Sequence, residues 1–422
     1  MVQELSRHLG RRLFPRLLGA VLLMLLAAAP SQAVKRRAFV TSVSGNGNLF
    51  TWAGATGLTG IERADSVCRA RATAGGLPNA STYRAWLSTP AVDAYCHVQG
   101  LSGKKSDGCG GAVLPGGGPW YLANGISNFT GTLDELTGAQ GVIYRPVMLD
   151  ELQNELPTGY EAREYWTGTF RTGNGLGDTC GGWTSGSSSQ SGETGDGLAS
   201  SILWTYRNSP TCDQARRLLC LEPGPSETST LSWSPGAIVF VTSAIGTGEL
   251  ASWPQASGAS SINAGYKICQ GLAAAAGLPS PASFVPWLST NLVDARDRIT
   301  TDGPFRRLDG YTVAASLLDL TDGVNSNSLN VLEDGSYHTG NEDLVWTGTH
   351  GSGIADLTGL CANWTVGDNS VSGLSGGAAW ARSTDWTAKS KYVCARQQHL
   401  YCIANVVTLF WDGFESGSTA RW

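Results

Sequence analysis

Apolar residues along this chain fall into short strand-like runs and one helical stripe, and the whole arrangement occurs twice. Phe39-Val40-Thr41-Ser42 and Ile238-Val239-Phe240-Val241 are brief, apolar and rich in β-formers, which predicts a central strand in each copy. Thr59 then stands three residues before Glu62 in an S/T-x-x-E capping box, and Ser260 takes the same place in the second copy, so a helix is predicted to start at both points. Ile61, Ala64, Val67, Cys68 and Arg71-Ala72 carry the helical stripe, echoed by Ile262, Gly265, Ile268, Cys269 and Leu272-Ala273. Gly76 and Gly277 sit where a left-handed C′ residue ends a helix. Leu77 and Leu278 can supply the apolar contact of that cap, and Pro78 and Pro279 prevent continuation. Cys68 and Cys269 therefore lie mid-helix on the apolar face, with partners expected in strands packed against it. Tyr83-Arg84-Ala85-Trp86-Leu87-Ser88 and Phe284-Val285-Pro286-Trp287-Leu288-Ser289 read as strand with aromatic anchors. The back halves are Gly-rich, with strand-like Tyr165-Trp166-Thr167-Gly168-Thr169 and Val345-Trp346-Thr347-Gly348-Thr349, and a terminal strand at Leu219-Cys220-Leu221 or Tyr401-Cys402-Ile403. One long helix per copy among many short strands and long loops makes each an α+β domain.

The duplication fixes the organisation. Phe39-Val40-Thr41-Ser42 recurs as Phe240-Val241-Thr242-Ser243 after 201 residues, whereas Trp166-Thr167-Gly168 recurs as Trp346-Thr347-Gly348 after 180, so repeat 1 carries extra material in its middle. Repeat 1 spans 37–222 and repeat 2 spans 237–405. Residues 223–236 form a linker whose Pro223-Gly224-Pro225 lacks the apolar pattern of a packed segment, and each repeat is long enough to fold by itself.

Arg7, Arg11, Arg12 and Arg16 precede an apolar run from Leu17 to Ala29, and Ser31-Gln32-Ala33 supplies small residues, so 1–33 reads as an export signal cleaved after Ala33. The run is too short to cross a hydrocarbon core comfortably, and no second apolar stretch follows, so no transmembrane segment is expected in the mature chain. Removing 1–33 takes four Arg and one Glu and leaves 25 basic against 33 acidic side chains, a formal charge of −8, which gives no electrostatic reason to bind nucleic acid. In an exported chain, ten cysteines argue for disulfides. Cys68, Cys180, Cys212 and Cys220 match Cys269, Cys361, Cys394 and Cys402, and four cysteines per repeat allow three pairings. Cys96 and Cys109 have no counterpart and sit where a short crosslink would tie down the Gly-rich excursion of repeat 1. There is no Cys-x-x-Cys or HExxH pattern, and the five His form no close cluster in the sequence.

The ordered string Ala64-Asp65-x-x-Cys68, Ala74-Gly75-Gly76-Leu77-Pro78, Tyr83-Arg84-Ala85-Trp86-Leu87-Ser88, Trp166-Thr167-Gly168-Thr169, Cys180-x-x-Trp183 and Leu219-Cys220-Leu221-Glu222 resembles a bacterial extracellular domain family of formerly unknown function, frequent in spirochaete surface lipoproteins and similar to the endostatin and C-type lectin-like folds. Cys269, Ala276-Gly277-Leu278-Pro279, Trp287-Leu288-Ser289, Trp346-Thr347-Gly348, Cys361-x-x-Trp364 and Tyr401-Cys402 repeat it. The resemblance implies two tandem disulfide-stabilised α+β domains with nested bridges, Cys68–Cys220 around Cys180–Cys212 and Cys269–Cys402 around Cys361–Cys394; Cys96–Cys109 has no place in that scheme. The Glu-Pro-Asn, Gln-Pro-Asp and Trp-Asn-Asp signatures of calcium-dependent sugar-binding lectins are missing, as are the histidine cluster and arginine-rich surface of endostatin, so neither sugar nor glycosaminoglycan binding carries over by residue.

Chemistry is sparse. Asp319, Asp322, Asn325 and Asn327 place oxygens at alternating positions beside Gly323 and could wrap Ca2+, but no closing Glu follows at EF-hand spacing, and an Asx-rich turn explains the same residues. No other cofactor is expected. Asp150, Glu151 and Glu155, or Glu333 and Asp334, are the carboxylates a glycosidase would need, although adjacent residues of a strand point to opposite faces. No Gly-x-Ser-x-Gly elbow or phosphate-cradling loop occurs. The repeated Trp read as core, with a sugar-stacking surface as the alternative. Ligand contact is better sought in the loops 181–197 and 366–377. The tail, 406–422, with Asp412-Gly413-Phe414-Glu415-Ser416-Gly417, resembles endings of exported proteins from Gram-negative bacteria; it reads as a sorting segment or as an aromatic strand docked on repeat 2. The expectation is a secreted or cell-surface, non-enzymatic binding or adhesion protein with a glycan or extracellular-matrix protein as ligand, its tandem domains gaining avidity. The alternatives are an extracytoplasmic glycan-acting hydrolase and an envelope component with no specific ligand.

Overall fold

In the computed structural model, which describes residues 34–228, 233–340 and 344–409, each repeat lays one long helix on a mixed sheet. The segment 1–33, read above as an export signal with its cleavage point, the tail from Phe410 onward and two short internal segments lie outside the described residues. Repeat 1 contains β1 (Arg36–Val40), α1 (Gly60–Ala74), β2 (Arg84–Ala85), β3 (Trp120–Leu122), β4 (Asn128–Thr130), β5 (Glu164–Trp166), β6 (Thr194–Asp196) and β7 (Arg217–Leu221). Repeat 2 contains β8 (Ala237–Val241), α2 (Ser261–Ala275), β9 (Phe284–Pro286), β10 (Phe305–Arg306), β11 (Thr312–Ala314), β12 (Leu344–Trp346), β13 (Ser372–Gly377), β14 (Ser390–Val393) and β15 (His399–Ala404). The sheets run β4-β3-β1-β7-β5-β6 and β11-β10-β8-β15-β12-β13-β14, with β2 added to β7 and β9 to β15. Each closing strand is thus central: β7 pairs antiparallel with β1 on one edge, and with β2 and parallel β5 along the other. Among the described residues, no helix is long and apolar enough to cross a membrane.

Local sequence explains the helices. Thr59 Oγ1 accepts from Glu62 N, and Glu62 Oε2 accepts from Thr59 N, which completes the expected capping box of α1. Ser260 occupies the same N-cap position of α2 but makes no side-chain cap bond; the next residue, Ser261, has a φ of +54°, and Asn263 replaces the glutamate that would give the reciprocal bond. Both helices end in a Schellman motif: Leu77 N donates to Ala72 O and Gly76 N to Thr73 O, and Leu278 N donates to Ala273 O and Gly277 N to Ala274 O. Gly76 and Gly277 have φ of +62° and +69°, which a side chain would strain.

The Cys-x-x-Trp string is a left-handed turn. Cys180, Gly181, Gly182 and Trp183 all have positive φ, as do Cys361, Ala362, Asn363 and Trp364. Such a turn costs an L-residue about 1–2 kcal/mol per position, so surrounding packing must hold it. It aims the cysteine at the inner disulfide and drops the tryptophan into the core, where Trp183 Nε1 donates to Ser88 O and Trp364 Nε1 to Ser289 O.

Five disulfides join Cys68–Cys220, Cys180–Cys212, Cys269–Cys402, Cys361–Cys394 and Cys96–Cys109, and no described cysteine is free. These are the pairs that the resemblance implies, with Cys96–Cys109 added. Each outer bridge bolts mid-helix to the central closing strand. In repeat 2, Ile238 and Phe240 join the helix-side core while Ala237, Val239 and Val241 join the core on the other face, so β8 is covered on both sides and reads as a continuous apolar run.

The repeats meet at a joint with approximate two-fold character. Gly195 pairs with Tyr165 and Gly376 with Val345 at corresponding points of the sheets, which makes Leu198-Ala199-Ser200 equivalent to Ala379-Trp380-Ala381. These two segments form an antiparallel bridge to each other: Ser200 N donates to Ala379 O at 2.8 Å and Ala381 N to Leu198 O at 2.9 Å, bonds made by equivalent atoms. Around the bridge, Arg307, fully buried, donates to Tyr144 O at 2.6 Å, Tyr144 stacks on Tyr311 and Ser201 Oγ donates to Gly340 O. The linker is also fastened at its described ends. Gly117–Gly118 pairs with Gly224–Pro225, Ser226 N donates to Gly118 O, and Gly236 bridges Thr408 at the start of the tail segment.

Candidate functional site

The extra chain of repeat 1 builds a cleft. A helical turn, Ala94–His97, starts at Asp93, whose carboxylate accepts from Lys105 N, Gly175 N and Lys104 Nζ and so holds both ends of the excursion. Cys96–Cys109 closes it at a Cα separation of 5.3 Å. Gln99 then donates to Tyr95 O and accepts from Gly116 N at 3.0 Å, which folds the Gly-rich strand 116–118 back over the turn. Between that strand and the capped helix Leu133–Thr137 lies a cleft of about 260 Å3 lined by Tyr95, Gln99, Leu114, Thr132, Asp134 and Pro225, among others.

Its polar groups are held in place by neighbours. Tyr95 Oη donates to Asp134 Oδ1 at 2.7 Å; burial, and then this carboxylate, push the phenol up to about 12, so it remains a donor at any ordinary pH. Lys105 lies 4.1 Å from the Tyr95 ring centre and donates to Thr172 O, and burial lowers its pKa. Asp134 is exposed, and Leu114, 44% exposed and next in the chain to the 93% exposed Val113, forms an apolar lip. The volume falls below the roughly 300–1,000 Å3 of drug-sized pockets. A carboxylate, a phenol, an amide and an apolar lip in that space suit one small polar unit of a larger ligand.

The carboxylates singled out for hydrolysis are engaged elsewhere, and none lines the cleft. Asp150 Oδ1 accepts from Leu152 N and Asn154 N. Glu151, fully buried, accepts from Ser42 N, Ser42 Oγ and Arg71 Nε. Glu155 pairs with Arg382 across the joint. Glu333 accepts from Ser243 N and Oγ, and Asp334 from Ser336 N and Oγ. All five serve as anchors for backbone, hydroxyl or arginine groups.

The calcium candidates have comparable duties. Asp319 Oδ2 accepts from Ala315 N and Asp322 Oδ1 from Val324 N. Asn325 Nδ2 donates to Asn327 O and Trp380 O, and Asn327 Nδ2 to Thr312 O. Among the described residues, no group of three or more His, Cys, Asp or Glu is placed to hold a metal ion. Of the two loops proposed for ligand contact, 181–197 and 366–377, the parts 181–182, 184–191 and 366–372 reach solvent; 192–197 and 373–377 are buried and largely strand. Trp86, Trp120, Trp166, Trp183, Trp204, Trp287, Trp346, Trp364 and Trp386 are fully buried, which is the core role expected of them.

Sequence reasoning passed over Tyr95, Gln99 and Asp134. The signal that could have found them is the unmatched pair Cys96 and Cys109, which marks the one large addition to the shared framework. Two histidines remote in sequence also meet in repeat 2: His338 Nε2 and His399 Nε2 are 3.2 Å apart, and burial pushes His338 down to about 4. No family model and no curated protein matches the chain.

Proposed function

We propose that the chain is an exported, non-catalytic binding protein of two endostatin-like, C-type-lectin-like domains, and that repeat 1 supplies the ligand contact through the cleft between its disulfide-tied excursion and helix Leu133–Thr137. The observation that carries this reading is where the extra chain of repeat 1 goes. The excursion and its own disulfide, absent from repeat 2, frame a cleft that presents an exposed Asp134 and a preset Tyr95 hydroxyl. The engagement of Asp150, Glu151, Glu155, Glu333 and Asp334 in structural bonds supports binding over hydrolysis. The duplicated cysteine framework and the basic-apolar leader support export. A glycan or extracellular-matrix ligand fits the small polar cleft.

The test is a glycan and matrix-protein array probed with the full mature chain, followed by Asp134→Ala and a Val113→Ser/Leu114→Ser pair, all surface changes with little cost to folding. A ligand that loses at least tenfold in affinity with either variant supports the reading. An array with no retained ligand, or a ligand indifferent to both variants, removes it.

A further inference from the structure

We propose that the group taken by the cleft of repeat 1 is a lysine side chain of an extracellular protein, its ammonium seated on Asp134; this rests on reading that cleft as the contact site. The side-chain donors along its wall are already engaged. Tyr95 Oη donates to Asp134 Oδ1, Gln99 Nε2 to Tyr95 O, Thr132 Oγ1 to Glu135 Oε2, and the backbone Gly116 N to Gln99 Oε1. What stands open is an acceptor: Asp134 is exposed, and its Oδ2 has no hydrogen-bond or ion-pair partner among the described residues. A carboxylate oxygen only accepts, so the group that completes it is a donor, and a cationic donor gains most. Sulfate, phosphate and carboxylate groups would need the donors that the wall has used. Lys105 does not take the place, because it packs on the Tyr95 ring and spends its ammonium on Thr137 Oγ1 and Thr172 O, outside the cleft lining. Glu135, bonded to the lining residue Thr132, adds a second negative charge at that wall.

Size and shape narrow the cation to lysine. The cleft of about 260 Å3 holds one side chain, and Leu114 and Pro225 give apolar surface along which a four-carbon stem can lie while its head reaches the charge. With Oδ1 committed to Tyr95, Asp134 offers one open oxygen, which is enough for a compact ammonium, whereas a guanidinium binds best through two parallel bonds. Repeat 2 carries the opposite set at the matching positions. Ala94 N donates to Ser88 Oγ and Tyr95 N to Gly173 O, as Ala295 N does to Ser289 Oγ and Arg296 N to Gly353 O, so Arg296 is the equivalent of Tyr95. Thr132 Oγ1 caps Glu135 N as Ser316 Oγ caps Asp319 N, which makes Leu318, 79% exposed, the equivalent of Asp134. There the framework supplies its own cation and no carboxylate, so one site per chain is expected.

The full mature chain would be titrated with Nα-acetyl-lysine methylamide, its Nε-acetylated form, the arginine analogue and glucosamine, following the Gln99 side-chain amide and the Gly116 and Gly117 backbone amides by 15N NMR. Expected is one saturable site for the blocked lysine. The Nε-acetylated form keeps the stem without the charge, glucosamine keeps the charge without the stem, and both should bind at least tenfold more weakly. Asp134→Asn leaves an oxygen for Tyr95 and removes only the charge, while Asp134→Leu installs the residue of repeat 2; each should weaken blocked lysine at least tenfold. Unmoved amides, equal binding of blocked lysine and its acetylated form, undiminished binding by both variants, or glucosamine or arginine bound as tightly as lysine would overturn the assignment. If an array ligand still loses affinity with Asp134→Ala in that event, the cleft keeps its role and only the lysine falls; if none does, both readings fall. The probes are compared on the wild-type protein, so the result stands even if a variant fails to fold.

Discussion

Repeat 1 and repeat 2 share a backbone framework down to individual hydrogen bonds, yet they fill it with opposite chemistry. At the edge of β5, repeat 1 buries five charges: Arg163 pairs with Asp196, Arg207 with Asp196 and Glu164, and Arg216 with Glu164. At matching sheet positions, repeat 2 has Gly377 for Asp196, Leu344 for Glu164 and Gln398 for Arg216. Without the Glu164 counterpart, Gln398 is left with both amide atoms buried and unpartnered. Burial raises the Asp196 pKa, and burial together with Arg163 and Arg216 brings Arg207 down to about 10, so the cluster sits in an environment hostile to charge. The lid over it comes from the other repeat: Trp380 lies 5.0 Å from the Arg163 guanidinium and 5.7 Å from that of Arg207. The framework is set by disulfides, caps and buried tryptophans common to both halves, which leaves the remaining interior free to diverge. The divergent charges in one repeat then bind it to the other.

The largest break in this comparison should come from the shared part. Cys68–Cys220 and Cys269–Cys402 close loops of 152 and 133 residues, for which chain entropy predicts about 5 kcal/mol each. Replacing either pair by alanine should cost nearly the same stability in denaturant unfolding. Replacing Cys96 and Cys109, a 13-residue loop, should cost about 3 kcal/mol at most and loosen the cleft selectively. Equal losses from all three would mean that the excursion is part of the common framework.

Trp380→Ala tests the joint. Trp380 is 3% exposed and packs edge-on to Tyr160, whose hydroxyl donates to Asp385 across the joint. Truncating such a residue costs about 3–5 kcal/mol, and here it also admits water to a buried ion cluster. The expected calorimetric signature is one cooperative transition in the wild type and two in the variant. Its counterpart Ala199→Gly should leave a single transition, because the alanine covers no charge.

What was legible in the sequence was local or repeated. The capping box at Thr59 and Glu62, the Schellman glycines and the mid-helix cysteines act within a few residues and could be read directly. Ser260 likewise marked the start of its helix at Ser261, although its side chain makes no cap bond there. Cysteine counting left three pairings per repeat, and the nested scheme came from resemblance. Sheet order was out of reach because β7 and β15 collect partners from distant points in the chain. The inter-repeat bridge was equally hidden: Leu198-Ala199-Ser200 and Ala379-Trp380-Ala381 carry no strand signature and lie about 180 residues apart. Tyr95 and Asp134, or His338 and His399, are neighbours only after those non-local pairings form.

The smallest effect concerns a single carboxyl and sharpens the contrast by pH. Glu193 is 2% exposed beside β6, where the equivalent of repeat 2 is Leu374; Ser209 Oγ donates to one of its oxygens and the other has no partner. Burial, opposed by the Ser209 bond and aided by Asp178, pushes its pKa from 4.5 to about 7. A carboxyl held protonated by the fold binds more protons folded than unfolded between these two values. Stability therefore falls as pH rises from about 4.5 to 7 and changes no further from this group above that range. Glu193→Leu installs the side chain that repeat 2 tolerates at this place, and Ser209 is exposed enough to bond water instead. The variant should match wild type near pH 4 and exceed it by about 1–3 kcal/mol at pH 8, measured by denaturant unfolding at both pH values. A constant difference across pH would place the charged carboxylate in solvent and put the polar character of this β6 edge down to hydration instead of burial.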